Sequence, residues 1–296
     1  MNTPKQIFIH AGAHRTGSSS FQMCLHDNLA LLKNKGFDAA YPGRDGIPSG
    51  DLALRLPSPR HGLHRQGSFA EKVARTLNKH SPDPQRKLIL SEENIPGRMF
   101  HFLAGHFYPA TEARLRALRQ GLGDARILRL MFVVRPYDGL YVSAYRKRAE
   151  DNLVTSFGAN IPNLMQMDRG WPAIVNLMDQ ILQPEELHVV TYACRGSSAQ
   201  LLKTLIPELD ATQLKEPENS VNVSATDAAL RELQARYQAG EQLDRKQWKQ
   251  IVREFSEHRE DLGIARFSSD DATALRARYE DDLDKIANMP NISLLR

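Results

Sequence analysis

The sequence predicts an α/β protein: a three-layer, mostly parallel sheet with a P-loop-like nucleotide site after its first strand and a C-terminal helical extension. Three observations carry this. Short apolar runs alternate with helical patterns, as they do in βαβ units. The first run, Gln6–His10, opens directly into a glycine-bracketed loop and a helix start over residues 11–20. From Ser224 onward the apolar runs give way to charged amphipathic helix without strands.

The expected strands are Gln6–His10, Lys87–Ser91, Ile127–Val134 and Leu187–Tyr192. Each is a short apolar run too brief for a buried helix. The first is followed by a helix with Phe21, Cys24, Leu25, Leu29 and Leu32 on one face, ending near Gly36. Further helices are expected at Ser68–Lys79, Thr111–Gly121, Tyr137–Asp151, Pro172–Leu182 and Ala199–Ile206. In the extension, Ser224-x-x-Asp227 reads as a helix cap and Gly240 as a break. Trp248, Ile251, Val252 and Phe255 form a core-facing stripe. The chain therefore divides into an α/β core over residues 1–222 and a helical extension over 223–296 packed on it. The core carries an insertion over Tyr41–Gly67 that is rich in Gly, Pro, Arg and His, with Arg44, Arg55, Arg60, His61, His64 and Arg65. A stretch of that kind reads either as a binding loop or lid, or as a plain surface connection.

Composition narrows the function. The 296 residues are 41% hydrophobic, with 39 Lys plus Arg against 35 Asp plus Glu. A net charge of +4 is too mild for a nucleic-acid binder and suits a site for small anions. No run of about eighteen apolar residues occurs, and a strand starts within about six residues of the first, leaving no room for a charged region and an apolar one before it. Neither a stable membrane insertion nor a signal peptide is expected, and the location read from this is cytoplasmic. Cys24 and Cys194 read as buried free thiols, and the sequons at Asn222 and Asn291 carry no weight without secretion.

The loop after the first strand is Gly12-Ala13-His14-Arg15-Thr16-Gly17-Ser18-Ser19-Ser20. Unpaired N–H groups at the start of a helix, with its dipole, form an anion cradle. Gly12 and Gly17 have P-loop spacing, but Ser18 stands where the P-loop lysine belongs. That lysine meets β/γ-phosphates, so its loss argues against an ATP or GTP hydrolase. A second anion site follows the third expected strand. Arg135 leaves the strand end and Ser143 lies two helical turns on, a guanidinium and a hydroxyl for one anion. Both motifs fall at the carboxyl edge of the sheet, where such folds bind ligands.

Two anion sites in this order resemble those of the sulfotransferases that use 3′-phosphoadenosine 5′-phosphosulfate (PAPS), most of all the bacterial carbohydrate-type members. Their 5′-phosphosulfate loop looks like Gly12–Ser20, and their 3′-phosphate motif, an arginine with a serine eight positions on, matches Arg135 and Ser143. The resemblance covers roughly residues 6 to 150. It implies PAPS as co-substrate, 3′-phosphoadenosine 5′-phosphate (PAP) as product, and no metal. The donor would contact Gly12, Ala13, His14, Arg15, Thr16, Gly17, Ser18, Ser19, Arg135 and Ser143. The family has lysine where Arg15 stands, acting on the leaving phosphate as a cation and proton donor. Arginine does not readily release a proton. Either electrostatic stabilisation suffices, or His14 supplies the proton, or activity is low.

A hydroxyl acceptor needs a base. Ser91-Glu92-Glu93 ends the second expected strand at the same edge, and the family pattern S-x-E selects Glu93 over Glu92. The alternative is a solvated or capping pair. His101 and His106, in an aromatic segment after the base, are candidates for the acceptor pocket and also read as packed or surface residues. Arg146, Lys147 and Arg148 read as a solvated helix face, the alternative being that one of them helps hold the 3′-phosphate. The acceptor implied is a small molecule or glycan, through a carbohydrate or glycolipid hydroxyl. Competing readings are a P-loop kinase or other nucleotide phosphotransferase, which lacks its lysine here, and a degenerate nucleotide-binding scaffold.

Overall fold

The computed structural model describes residues 4–62, 65–218 and 224–296. The expected junction at 222/223, the Asn222 sequon and His64 lie outside the described residues. Strands β1 (Gln6–His10), β2 (Phe37–Ala40), β3 (Lys87–Ser91), β4 (Arg126–Val134), β5 (Glu186–Thr191) and β6 (Ile292–Leu295) form one sheet. Its order is β2-β3-β1-β4-β5-β6, and every pairing is parallel. β1 lies at the centre, with β3 and β4 on either side. The chain winds outward in opposite directions from it, and ligands of such sheets gather at that reversal.

Alternation along the strands builds a core on each face. Ile7, Ile9, Leu88, Leu90, Leu130, Phe132 and Val134 face one side. Phe8, Ile89, Met131 and Val133 face the other. The second face is covered by α1 (Ser18–Asp27) and α8 (Ser198–Leu205), through Phe21, Cys24, Leu25, Leu201, Leu202 and Leu205. The first face is covered by α3 (Gln66–His80), α4 (Thr111–Leu122), α5 (Tyr137–Asp151), α7 (Trp171–Leu182) and α11 (Ser269–Ala287). Its centre is aromatic: Trp171 meets Phe107, Phe132 and Tyr137 with centroids 4.8, 5.5 and 6.0 Å away.

Several expectations need correction. The helix after β1 breaks at Asn28, giving α1 and α2 (Leu29–Asn34). The Asn28 Nδ2 donates to the Cys24 carbonyl at 2.8 Å, competing with the helical ladder. Helix α6 (Phe157–Met165) was not expected, and Pro162 inside it hides its pattern. The C-terminal segment is not free of strands: β6 pairs with β5 and ends the sheet. Before it come α9 (Asp227–Gln238) and α10 (Arg245–Glu254). Ser224 does not cap α9. Thr226 does, its Oγ1 accepting from Ala229 N at 3.2 Å, while Asp227 begins the helix and pairs with Arg146. Of the α10 stripe only Ile251 is buried. Cys24 is buried, and burial pushes its thiol up to about 12, but Cys194 is exposed because it lies in a turn that has already left the sheet. Among the described residues no helix is long and apolar enough to cross a membrane.

The 41–67 insertion is partly built into the core. Tyr41, Ile47, Leu52 and Leu56 are buried, and Pro42 bridges to Asp51. Buried Arg114 of α4 donates to the carbonyl of Pro57 at 2.5 Å.

Candidate active site

The carboxyl ends of β1, β3, β4 and β5 open on one cavity of about 680 Å³, a size that suits a nucleotide-sized ligand. His14, Arg15, Gly17, Ser18 and Ser19 enter it from the first loop, Glu93 from β3, Arg135 and Ser143 from β4 and α5. The two predicted anion motifs are thus brought together, and a direct bond joins them: Arg15 Nε donates to Ser143 Oγ at 2.7 Å.

The loop is held by its own backbone. Thr16 Oγ1 donates to the Ala13 carbonyl at 2.6 Å, and Ser18 Oγ lies 3.4 Å from the same oxygen. Both residues are buried. Gly17 is the N-cap of α1 in a left-handed conformation, φ +92°, open to glycine without strain. Gly12 is left-handed as well, and a Cβ there would meet Ser18 Oγ at 2.5 Å. Arg15 adopts φ +65° without being glycine, a strained state that the surroundings must enforce. They do so at three points. Arg135 Nη1 donates to the Arg15 carbonyl at 2.8 Å, and the Arg15 side chain spans Ser143 and Ser224, the latter at 2.8 Å from Nη2.

The two glutamates are not equivalent. Glu92 is buried and saturated: Arg44 Nη2 reaches its Oε1 at 2.5 Å, and Asn94 donates to that oxygen from N at 2.8 Å and Nδ2 at 2.9 Å. Glu93 faces the cavity, with Arg44 Nη1 3.5 Å from its Oε1. Burial of an ion requires such compensation, so Glu92 organises the wall while Glu93 meets the space. Arg44, from the insertion, is the cation that ties both.

The Asn94 amide also fixes His14. Since Nδ2 is turned to Glu92, Oδ1 faces His14 Nε2 at 3.0 Å, and that nitrogen carries the proton. His14 Nδ1 is buried with no partner among the described residues. Burial pushes the His14 ring down to about 4 and His10, bonded to Ser91 Oγ at 2.9 Å, down to about 3. A neutral His14 with its N–H committed to Asn94 is a poor proton donor to a leaving group.

These histidines also set a pH dependence. They bind protons less readily in the folded chain than in the unfolded one, where the value is about 6.5. As pH falls below about 6.5 the unfolded chain therefore gains protons first, and stability is lost progressively towards pH 4 and 3. Going from pH 7 to 5 should lower the unfolding free energy by about 4 kcal/mol for the two rings together. Urea midpoints at both pH values check this, and a flat profile would contradict buried neutral rings.

Other parts of the wall escaped the sequence reading. Trp248 lines the cavity rather than the core, with Lys147 Nζ 4.8 Å above its ring. The solvated-face reading of Arg146, Lys147 and Arg148 is corrected: Arg146 pairs with Asp227, Lys147 is in the wall, and Arg148 lies over Phe100. Arg195 and Tyr192, after β5, were not anticipated. The signal that could have found Arg195 is its place just past a core strand's carboxyl end. His101 and His106 do not line the cavity. His106 faces Asp168 at the surface, and their segment contributes Met99 instead.

No protein-family model matches the chain, and no curated protein matches it. A solved structure of a sulfotransferase from Alicyclobacillus acidocaldarius is similar over 88% of this chain and 98% of its own, at 15% identity and a TM-score of 0.39.

Proposed function

We propose that the protein is a PAPS-dependent sulfotransferase acting on a hydroxyl acceptor. The observation that carries this reading is the bond from Arg15 to Ser143, which joins the loop after β1 to the 3′-phosphate-type motif after β4 in one cavity. Two anion clamps facing one nucleoside-sized space fit a donor with a phosphate at each end of its ribose. Glu93 stands on the same wall, and in this reading it takes the acceptor proton. In that reaction the acceptor oxygen attacks sulfur, and the bond from sulfur to the bridging oxygen breaks. The electron pair stays on the 5′-phosphate, and the hydroxyl proton passes to Glu93. Positioning and fixed charge supply most of the acceleration. We extend the reading to a carbohydrate or glycolipid acceptor, for which the cationic and aromatic wall of Arg44, Lys147, Arg245 and Trp248 offers polar and stacking contacts. A cytoplasmic setting agrees with an exposed free thiol at Cys194.

Thermal unfolding tests the donor site. PAP at a hundredfold excess over its dissociation constant should add about 2.7 kcal/mol, a shift of several degrees. 5′-AMP and Mg-ADP at equal concentration should shift less, and Arg135→Ala should remove the advantage of PAP. A larger shift with Mg-ADP would replace this reading with a phosphotransferase, and no shift with any nucleotide would leave a degenerate scaffold.

A further inference from the structure

We propose that Arg195, not Arg15, is the cation that meets the phosphosulfate end of the donor, and that Arg15 belongs to the 3′-phosphate clamp. This rests on the donor reading above and redistributes its cations. Arg195 follows the turn after β5 and lies against the end of the first loop. A Cβ built on Gly17 would fall 2.8 Å from its Cζ and Nη2 and 3.1 Å from its Nε. Only glycine at position 17 admits the guanidinium so close to the start of α1. There the unpaired N–H groups of a helix N-terminus and a guanidinium converge on the same space. Arg195 Nε is buried and has no partner among the described residues. A buried donor left unpaired is costly, and an anion arriving at the loop would satisfy it.

Arg15 is turned the other way. Its Nε and Nη2 are spent on Ser143 and Ser224, and its carbonyl is fixed by Arg135. Ser143 and Arg135 are the two residues of the second motif, so Arg15 lies with them. Tyr192 keeps the two groups of cations apart: its ring has Arg135 Cζ at 4.8 Å and Arg195 Cζ at 6.0 Å from its centroid. An aromatic ring attracts each guanidinium and limits their mutual repulsion. In the transfer step Arg195 donates hydrogen bonds to the 5′-phosphate oxygen that receives the electron pair from the broken S–O bond. It gives up no proton, and the acceptor's proton still goes to Glu93. The change from lysine to arginine in the loop then needs no substitute acid, because the loop residue has a different task.

Titration calorimetry with PAP and 5′-AMP separates the roles, using the full chain and variants checked by circular dichroism. Arg195→Gln should weaken both ligands by the same factor, about 10- to 100-fold. Arg15→Gln should weaken PAP by a similar factor and leave 5′-AMP unchanged. Arg195→Lys should regain part of the loss on both. The assignment is overturned if the loss on 5′-AMP follows Arg15, or is equal for the two variants. If the unaltered chain binds PAP no more tightly than 5′-AMP, the donor reading itself falls, which is seen before any variant is made.

Discussion

Glu93→Gln should lower the turnover of sulfuryl transfer from PAPS by about 100-fold or more while PAP affinity stays nearly the same. The substitution keeps the side chain's shape and one oxygen towards Arg44, so the wall of the cavity persists, but an amide cannot accept the acceptor's proton. Glu92 is no substitute, since its buried carboxylate is already taken by Arg44 and by both donors of Asn94. His14 is no ready substitute either: its Nε2 faces Asn94, the remaining Nδ1 is buried, and burial lowers the ring's proton affinity to about 4, which makes it a weak base. Steady-state rates with saturating acceptor, beside a PAP titration, measure both quantities. Unchanged turnover would remove Glu93 as the base, and an equal loss of PAP affinity would make it a donor-binding residue instead.

The parts of this site that were legible in the sequence are those whose signal is local. β1, β3, β4 and β5 are apolar runs, and the glycine-bracketed loop, the Glu pair and Arg135 follow three of them directly, so strand and candidate residues are read together. β2 and β6 were hidden because each has four residues. Asp38 interrupts the first, and the second follows the charged helix α11. Arg44 could be marked as part of a basic insertion, yet its pairing with residues 48 and 49 positions away has no sequence signature. Trp248 shows the opposite failure. Its helical spacing with Ile251 and Phe255 is the pattern of a core stripe, whereas the fold turns it to a wall with Lys147. The exchange of roles between Arg15 and Arg195 is of the same kind, since a side chain's direction depends on partners such as Ser143 and Ser224 from remote elements.

Trp171→Ala should destabilise the chain by about 3–5 kcal/mol and should weaken PAP binding as well. The indole is fully buried at the first turn of α7, in edge contact with Phe107 and Phe132 and stacked on Tyr137. Removing it leaves a cavity in an aromatic cluster that cannot collapse onto the missing volume. It also removes the donor to the Arg135 carbonyl, which Nε1 holds at 3.0 Å where β4 turns into α5. That bond links the core to the site, because the same residue's guanidinium fixes the Arg15 carbonyl. The midpoint of thermal unfolding should fall by roughly 5–8 °C. Trp171→Phe separates the two effects: it keeps most of the packing and leaves the carbonyl unpaired, at a cost of about 1 kcal/mol. PAP affinity should therefore fall in Trp171→Phe with only a small loss of stability. If affinity in that variant is unchanged, the indole acts through packing alone, and Arg135 is held in place by its contacts with the Arg15 carbonyl and the Tyr192 ring.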